Sequence, residues 1–177
     1  MKMKNLFLDR DGIINEIVIR TNKVSSSRMI EEFKIRNEFK DFYNQIKSFP
    51  LNIFVVSNQP DIARNLMDKK VLEKINEELL KHFNFTEICY CTHDDKDHCL
   101  CRKPKPGLIL NLLEKYNLKK EESFIIGDSS KDIIAGQNAG IKTVLLNTSY
   151  NNDSQCEPDF KINMLEEVIN TLIKKGT

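Results

Sequence analysis

Short runs of hydrophobic residues alternate along the chain with longer segments in which hydrophobic positions recur at helical spacing. A run such as Leu51–Val56 is too apolar for a strand with one solvated face, which indicates burial on both faces. Strands that alternate with helices predict an α/β domain with a mostly parallel sheet. The predicted strands are Asn5–Leu8, Leu51–Val56, Glu87–Cys91, Ser123–Ile126, Lys142–Leu146 and Asp159–Ile162. The predicted helices are Glu38–Phe49, Asp61–Phe83, Pro106–Tyr116, Lys131–Ala139 and Leu165–Ile173.

The length of 177 residues is typical of one domain, so residues 1–177 are predicted to form a single unit. The formal net charge of +1 supplies no overall field that would attract nucleic acid or a membrane surface. No stretch is apolar and long enough to predict a membrane span. We therefore expect a cytoplasmic, monomeric protein whose partner is a small molecule. The polar segment Ile17–Glu32 is expected to close over the bound molecule.

Carboxylates follow two of the predicted strands. Asp9 and Asp11 come directly after the first strand, and Asp128 follows the fourth, with Asp132 one helical turn later. Strands of a parallel sheet present their carboxyl ends at one edge, where ligands bind. Two carboxylates with Mg²⁺ between them, or in different protonation states, could serve as nucleophile and proton donor. Each group alone is also compatible with a solvated turn or a helix cap.

Two further groups suit an anion. Ser57, Asn58 and Gln59 end the second strand and offer a hydroxyl and two amides, although Ser and Asn also cap helices. Arg102 and Lys103 precede a helix, and their cations can hold phosphate, although most charged runs are simply solvated.

The segment CTHDDKDHCLCRKPKPG contains the spacing Cys91-x-His93-x₅-Cys99-x-Cys101. Three thiolates and one imidazole form a complete tetrahedral set, which predicts a structural zinc site rather than a set of unligated surface thiols. A zinc ion bound to Cys101 would hold the next two residues, Arg102 and Lys103, in place. Cys89, His98 and Cys156 are interpreted as residues that do not bind the metal.

The motifs LFLDRDGIIN, VVSNQ, CRKPKPG and GDSSKDIIAG, in this order, resemble those of the haloacid dehalogenase superfamily of phosphatases. The segment with the predicted zinc ligands resembles the zinc loop of one group within this superfamily, which contains the heptose bisphosphate and histidinol-phosphate phosphatases. The resemblance covers nearly the whole chain. It implies a Rossmann-like three-layer sandwich without a large cap domain.

The resemblance also implies residue roles. Asp9 would be the nucleophile that forms an aspartyl-phosphate, and Asp11 the acid and base. Ser57 and Lys103 would stabilise the transferring phosphoryl group. Independently of the resemblance, the position of Asp132 one helical turn after Asp128 predicts that it supports the metal site. Substrate contacts would come from Asn58, Gln59 and Arg102, and Mg²⁺ ligands from Asp9, the Asp11 carbonyl and Asp128. The implied substrate is a small phosphorylated sugar, above all a heptose 1,7-bisphosphate of surface-polysaccharide synthesis that loses its C7 phosphate. Histidinol phosphate is the alternative, and a non-catalytic zinc-stabilised binding domain is a further one.

Overall fold

The computed structural model of the protein describes residues 3–150 and 156–170. Its strands are β1 Lys4–Leu8, β2 Val18–Arg20, β3 Lys23–Ser25, β4 Leu51–Asn58, β5 Glu87–Cys91, β6 Ser123–Gly127, β7 Lys142–Leu146 and β8 Phe160–Ile162. Its helices are α1 Asn37–Ile46, α2 Lys69–His82, α3 Gly107–Lys115 and α4 Ser130–Ala139. Short 3₁₀ turns occur at Ile30–Glu32, Asp95–Asp97 and Lys120–Glu122.

The main sheet has the strand order β5-β4-β1-β6-β7-β8, and every neighbouring pair is parallel. The central strand β1 is bordered by β4 and β6, with Leu8 in register with Val55 and Ile126. This register brings the residues that follow the three central strands to the same edge of the sheet. The predicted mostly parallel sheet is confirmed.

Hydrophobic clusters lie on both faces of the sheet. On one face, Phe7 and Phe54 stack at 5.0 Å and pack with residues of α3 and α4. On the other face, Leu6 and Val55 pack with α1, the end of α2 and residues 165–169. Alternate residues of one strand thus enter opposite clusters, because side chains alternate across a strand. Helices on both sides of a parallel sheet give the predicted three-layer sandwich.

The predicted helix Asp61–Phe83 was wrong at its start, because α2 begins at Lys69. Residues 61–65 form turns, Asn65 has a φ of +55°, and Leu66 is exposed although its spacing suggested a helical core position. The Asp68 side chain accepts a hydrogen bond from the Lys70 amide, which caps the helix there.

The segment after β1, which was predicted as a polar loop, contains an antiparallel hairpin of β2 and β3. Its turn residues Thr21 and Asn22 both have positive φ, the conformation that matches the twist of a two-residue hairpin. Within the described residues this insertion is a hairpin and not a domain. The C-terminal helix predicted from Leu165 is a turn at residues 165–166 and helical at residues 167–170, and its last predicted residues, 171–173, lie outside the described range. No described helix has the length and hydrophobicity needed to cross a bilayer.

Candidate active site

The carboxyl edge of the central strands carries a cluster of three buried or nearly buried carboxylates around one lysine. Lys103 Nζ lies 2.7 Å from Asp9 Oδ1 and 2.5 Å from Asp132 Oδ1, and it donates to the Val56 carbonyl at 2.7 Å. Oxygens of Asp9, Asp128 and Asp132 all lie within 4.8 Å of one another. The sequence prediction that residues after β1 and β6 would meet is therefore observed in the structure.

Electrostatics at this cluster favour a bound cation. Burial raises the pKa of Asp9 well above its usual value, and the neighbouring Asp132 carboxylate raises it further. Burial, helped by Asp132, raises the pKa of Asp128 to about 7. Burial alone would lower the pKa of Lys103, but the Asp132 and Asp9 carboxylates raise it. One ammonium cannot neutralise three carboxylates, and a hard, oxygen-liganded cation such as Mg²⁺ fits the excess negative charge.

The three carboxylates are not equivalent. Asp132 uses Oδ1 for Lys103, and its Oδ2 accepts hydrogen bonds from the Ser129 amide at 3.2 Å and hydroxyl at 2.5 Å. Its oxygens are thus already engaged by protein groups, and its predicted supporting role at the metal site stays a prediction. Asp9 and Asp128 keep carboxylate oxygens for a metal ion.

Asp11 occupies a different environment, because four side chains donate hydrogen bonds to it. Arg10 Nη2 lies 3.0 and 3.1 Å from its two oxygens, and Asn15, Gln59 and Ser26 approach to between 2.8 and 2.9 Å. Burial alone would raise the pKa of Asp11, but the Arg10 guanidinium and these hydrogen bonds lower it. The pKa values of the two carboxylates after β1 are therefore shifted in opposite directions.

Sequence reasoning missed three of these donors. Arg10 is almost fully buried, although it lies between two acidic residues in the sequence, and its Nε and Nη1 have no hydrogen-bond partner in the described part of the chain. Asn15 is the last residue of the motif LFLDRDGIIN, so its position in the motif could have identified it as a residue of the site. Ser26 comes from the loop after β3, and only the folded structure reveals that it reaches Asp11.

The residues at the end of β4 hold the site together. Asn58 binds the backbone of Lys103 twice, accepting from its amide at 3.0 Å and donating to its carbonyl at 2.9 Å. Gln59 is fully buried and donates to Asp11 and to Ser57 Oγ, both at 2.8 Å. Ser57 is buried at the same edge. The predicted substrate contacts of Asn58 and Gln59 stay a prediction, while their observed contacts position Lys103 and Asp11.

Gly12 and Tyr150 enclose Asp128. Tyr150 donates from its hydroxyl to Asp128 Oδ2 at 2.7 Å, a contact that sequence reasoning did not identify. Gly12 has a φ of +86°, and a Cβ at this position would lie 2.0 Å from the same oxygen. Glycine is required both by the backbone conformation and by the close approach of Asp128.

We expect Gly12→Ala to displace Asp128 and weaken magnesium binding. The strained backbone and the steric overlap should cost about 2 kcal/mol of stability or more. Gly140→Ala is the matched control, because Gly140 also has a positive φ, of +76°. The atom nearest to a Cβ at position 140 would be Lys120 Cδ, at an ordinary contact distance of 3.5 Å. Thermal unfolding and magnesium titration calorimetry would test both variants. Equal magnesium affinity in the two variants would contradict the prediction.

The predicted zinc ligands come together beside this site. Cys101 Sγ lies 3.2 Å from Cys91 Sγ, 3.5 Å from Cys99 Sγ and 3.3 Å from His93 Nδ1. Ligands about 2.3 Å from a tetrahedral zinc are separated by about 3.8 Å, so a small expansion of the cluster would accommodate the ion. Burial opposes ionisation of Cys99, but the Arg102 backbone amide and neighbouring thiols lower its pKa to about 7. The donor set and spacing fit zinc.

A cleft of about 580 Å³ opens above the carboxylate cluster. Besides the residues described above, its walls carry more cations than carboxylates. The cations are Arg20, Lys23, Arg28, Arg64, Arg102 and Lys131; the carboxylates are Asp61 and Asp95. Arg102 is nearly buried and donates from Nε to Asp95 at 2.8 Å, whereas its buried Nη1 has no hydrogen-bond partner among the described residues. Arg102 therefore lines this cleft, and its predicted contact with substrate stays a prediction.

Known proteins are similar to this chain in sequence and in fold. A profile of the haloacid dehalogenase-like hydrolases matches residues 5–146. D-glycero-beta-D-manno-heptose-1,7-bisphosphate 7-phosphatase of Helicobacter pylori is 38% identical over 81% of this chain and 83% of its own. D-glycero-alpha-D-manno-heptose-1,7-bisphosphate 7-phosphatase of Campylobacter jejuni is 32% identical over 99% of both chains. The crystal structure of D,D-heptose 1,7-bisphosphate phosphatase from B. bronchiseptica, complexed with magnesium and phosphate, superimposes with a TM-score of 0.83 at 23% identity and covers 98% of this chain and 99% of that one.

Proposed function

Because the chain belongs to the haloacid dehalogenase-like hydrolase family, we propose that it is a magnesium-dependent phosphatase that removes the C7 phosphate of D-glycero-D-manno-heptose 1,7-bisphosphate. The observation that carries the proposal is the meeting of Asp9, Asp11, Lys103 and Asp128 at one edge of the sheet. The names of the relatives support the substrate. The proposal places the enzyme in the cytoplasm as a monomer, where the thiolates of the zinc loop stay reduced.

Asp9 is the nucleophile in this proposal. Lys103 binds its Oδ1, which leaves Oδ2 to attack phosphorus. As the bond from phosphorus to the C7 oxygen breaks, Asp11 gives a proton to that oxygen, and the sugar leaves as an alcohol. Asp11 then takes a proton from a water molecule that attacks the aspartyl-phosphate. The bond between phosphorus and Asp9 breaks, and inorganic phosphate leaves.

The remaining groups stabilise charge. Magnesium, held by Asp9, Asp128 and the Asp11 carbonyl, would neutralise phosphate oxygens and fix their orientation. Lys103 screens Asp9 from the incoming anion and, with the Ser57 hydroxyl, stabilises the transferring phosphoryl group. Asn58 holds the Lys103 backbone in place, and Asp132 holds its ammonium. Such fixed charges stabilise the transition state because they need no rearrangement during the reaction.

The cations of the outer cleft favour a substrate with a second anionic group. The two carboxylates of the outer cleft are already paired. Asp61 lies 2.6 Å from Arg28, and Asp95 lies 2.8 Å from Arg102. Glu32, a candidate for holding an amine, instead accepts hydrogen bonds from Arg20 and from the Arg28 amide. These pairs also offset the positive charges of Arg20, Arg28 and Arg102. The net excess of cations over carboxylates in the cleft would repel the amine of histidinol phosphate and attract a second phosphate.

The proposal is tested by measuring phosphate release with Mg²⁺ from both anomers of the heptose bisphosphate, histidinol phosphate and p-nitrophenyl phosphate. We expect kcat/KM for one heptose anomer to exceed that for histidinol phosphate by about 100-fold or more, since like charges placed together at a binding surface cost several kcal/mol. Asp9→Asn serves as the blank. A preference for histidinol phosphate, or no hydrolysis of any ester, would overturn the proposal.

A further inference from the structure

A network of ion pairs joins three segments at the mouth of the cleft. Arg28, from the segment after the β2–β3 hairpin, donates from Nε to Asp61 Oδ2 at 2.6 Å. Arg64 Nη1 lies 3.7 Å from Asp61 Oδ1, and its Nη2 donates to Asp94 of the zinc loop at 2.5 Å. We call Arg28, Asp61, Arg64 and Asp94 the Asp61 network. It ties the hairpin segment to the loop after β4 and to the zinc loop.

Asp61 is the central member of this network and is also the least exposed of its residues. Only 6% of Asp61 is exposed, whereas the side chains of Arg28 and Arg64 are 30% and 38% exposed. A buried carboxylate between two arginines fixes both of them more strongly than exposed pairs do, because water screens it less. Arg28 and Arg64 line the cleft, so fixing them also fixes two cations that a ligand would meet.

The hairpin segment held by this network also reaches the reacting groups. Ser26, two residues before Arg28, donates to Asp11 Oδ2 at 2.9 Å. Arg20 binds the Ser26 carbonyl at 2.7 Å and the Ser25 hydroxyl at 2.8 Å, and it pairs with Glu32. These internal contacts make residues 20–32 a compact unit. Its attachment through Arg28 and Asp61 therefore controls how this wall of the cleft is placed.

On the basis of the proposed function, we infer that Asp61 is a specificity-determining positioning residue, which holds Arg28 and Arg64 where they bind the phosphate that does not react. Asp61 does not touch the reacting atoms. Asp61 therefore influences the binding of substrates that extend to the outer cleft. A small ester that carries only the reacting phosphate does not contact the two arginines.

Asp61→Asn tests the inference, since it removes the charge and keeps the shape. We expect KM for heptose 1,7-bisphosphate to rise about tenfold, as for the loss of a buried charge pair at a binding surface, and KM for p-nitrophenyl phosphate at most about twofold. Asp61→Glu restores the carboxylate and should recover part of the lost affinity. Glu73→Gln, which breaks an exposed ion pair with Lys69 on α2, is the matched control and should change neither KM.

Amide hydrogen exchange supplies a second readout. In Asp61→Asn, exchange of the amides in residues 18–32 should accelerate, while the strands of the main sheet keep the wild-type rate. Arg28→Gln should produce the same acceleration, and the double variant should add little to either single change, because both remove one contact.

The outcomes separate this inference from the proposed function. A wild-type enzyme that hydrolyses neither ester overturns the proposed function and this inference with it. An active wild type in which Asp61→Asn raises both KM values equally, or leaves exchange of residues 18–32 unchanged, overturns the inference about Asp61 alone. A selective rise in KM for the bisphosphate, with faster exchange in the hairpin segment, supports it.

Discussion

Asp9→Asn is expected to reduce phosphate release from every substrate by about 10⁴-fold or more, the scale seen when a catalytic nucleophile is removed. Asparagine keeps the shape of the side chain but cannot form the aspartyl-phosphate. Rapid-quench mass spectrometry should detect a phosphoryl adduct on the wild-type chain and none on the variant. Residual turnover above about 1% of wild type would assign the nucleophile to another group, since a missing nucleophile costs far more.

The same variant should remain folded, and in the absence of magnesium it should be no less stable than wild type. Burial and Asp132 raise the pKa of Asp9, so its stabilising contribution is present below the ordinary pKa and lost as the pH rises through the raised one. As the pH rises from the ordinary pKa of a carboxyl group towards the raised pKa of Asp9, this group therefore destabilises the metal-free fold. Lys103 keeps its contact with Asp132 when Asp9 is replaced.

Thermal unfolding without magnesium, compared with Asp41→Asn on the exposed side of α1, would measure this effect. A fall in the unfolding midpoint specific to Asp9→Asn would show that its contact with Lys103 outweighs the repulsion. We thus expect Asp9→Asn to lose activity without losing stability. This result is typical of active sites, where charges that destabilise the fold are retained because catalysis needs them.

The central sheet and the location of the site were predictable because they depend on local patterns. Uniformly apolar runs predicted the buried strands, and polar residues after Leu8, Val56 and Ile126 predicted the shared edge. The meeting of the three cysteines and one histidine was predictable for a similar reason, since the four residues lie within eleven positions of the sequence. The resemblance added roles to these residues, and the family assignment is confirmed.

What the sequence did not reveal depends on contacts between distant segments. The hairpin of β2 and β3 has the signal of two short β-rich runs around a two-residue turn, but the turn Thr21–Asn22 lacks the usual glycine. The start of α2 was misplaced because Ile62 and Leu66 fit helical spacing, whereas the buried Asp61 is held by Arg28 from another segment. Such tertiary contacts override local propensity.

The roles of polar side chains were the hardest to predict. The amide groups of Asn58 and Gln59 suit a substrate, yet in the structure they bind Lys103 and Asp11, which are distant in sequence. Tyr150 reaches Asp128 from a loop that has no recognisable motif. Hydrogen-bond partners across the fold follow from the complete arrangement of strands, which periodicity does not specify.

Loss of zinc is expected to have the second large effect, on stability and turnover together. Protein purified without added metal should contain one zinc per chain. Cys99→Ser should release it and lower the unfolding midpoint by about 10 °C or more, because a structural zinc contributes several kcal/mol and each kcal/mol shifts a domain of this size by about 3 °C. Cys156→Ser, a thiol outside the cluster, is the matched control and should retain the zinc.

Turnover should fall with the zinc because the cluster and the active site share one segment. Cys101 is followed directly by Arg102 and Lys103, whose side chains reach Asp95 and Asp9. Freeing Cys101 lets Lys103 move away from Asp9, and a displacement of about 1 Å at such a group costs about 100-fold in rate. Wild-type turnover in a zinc-free, folded Cys99→Ser protein would show that the contacts of Lys103 with Asn58, Asp132 and Val56 hold it in place without zinc. A zinc content well below one per chain would refute the structural site, and a parallel loss of zinc, stability and turnover would establish that the metal maintains the catalytic lysine.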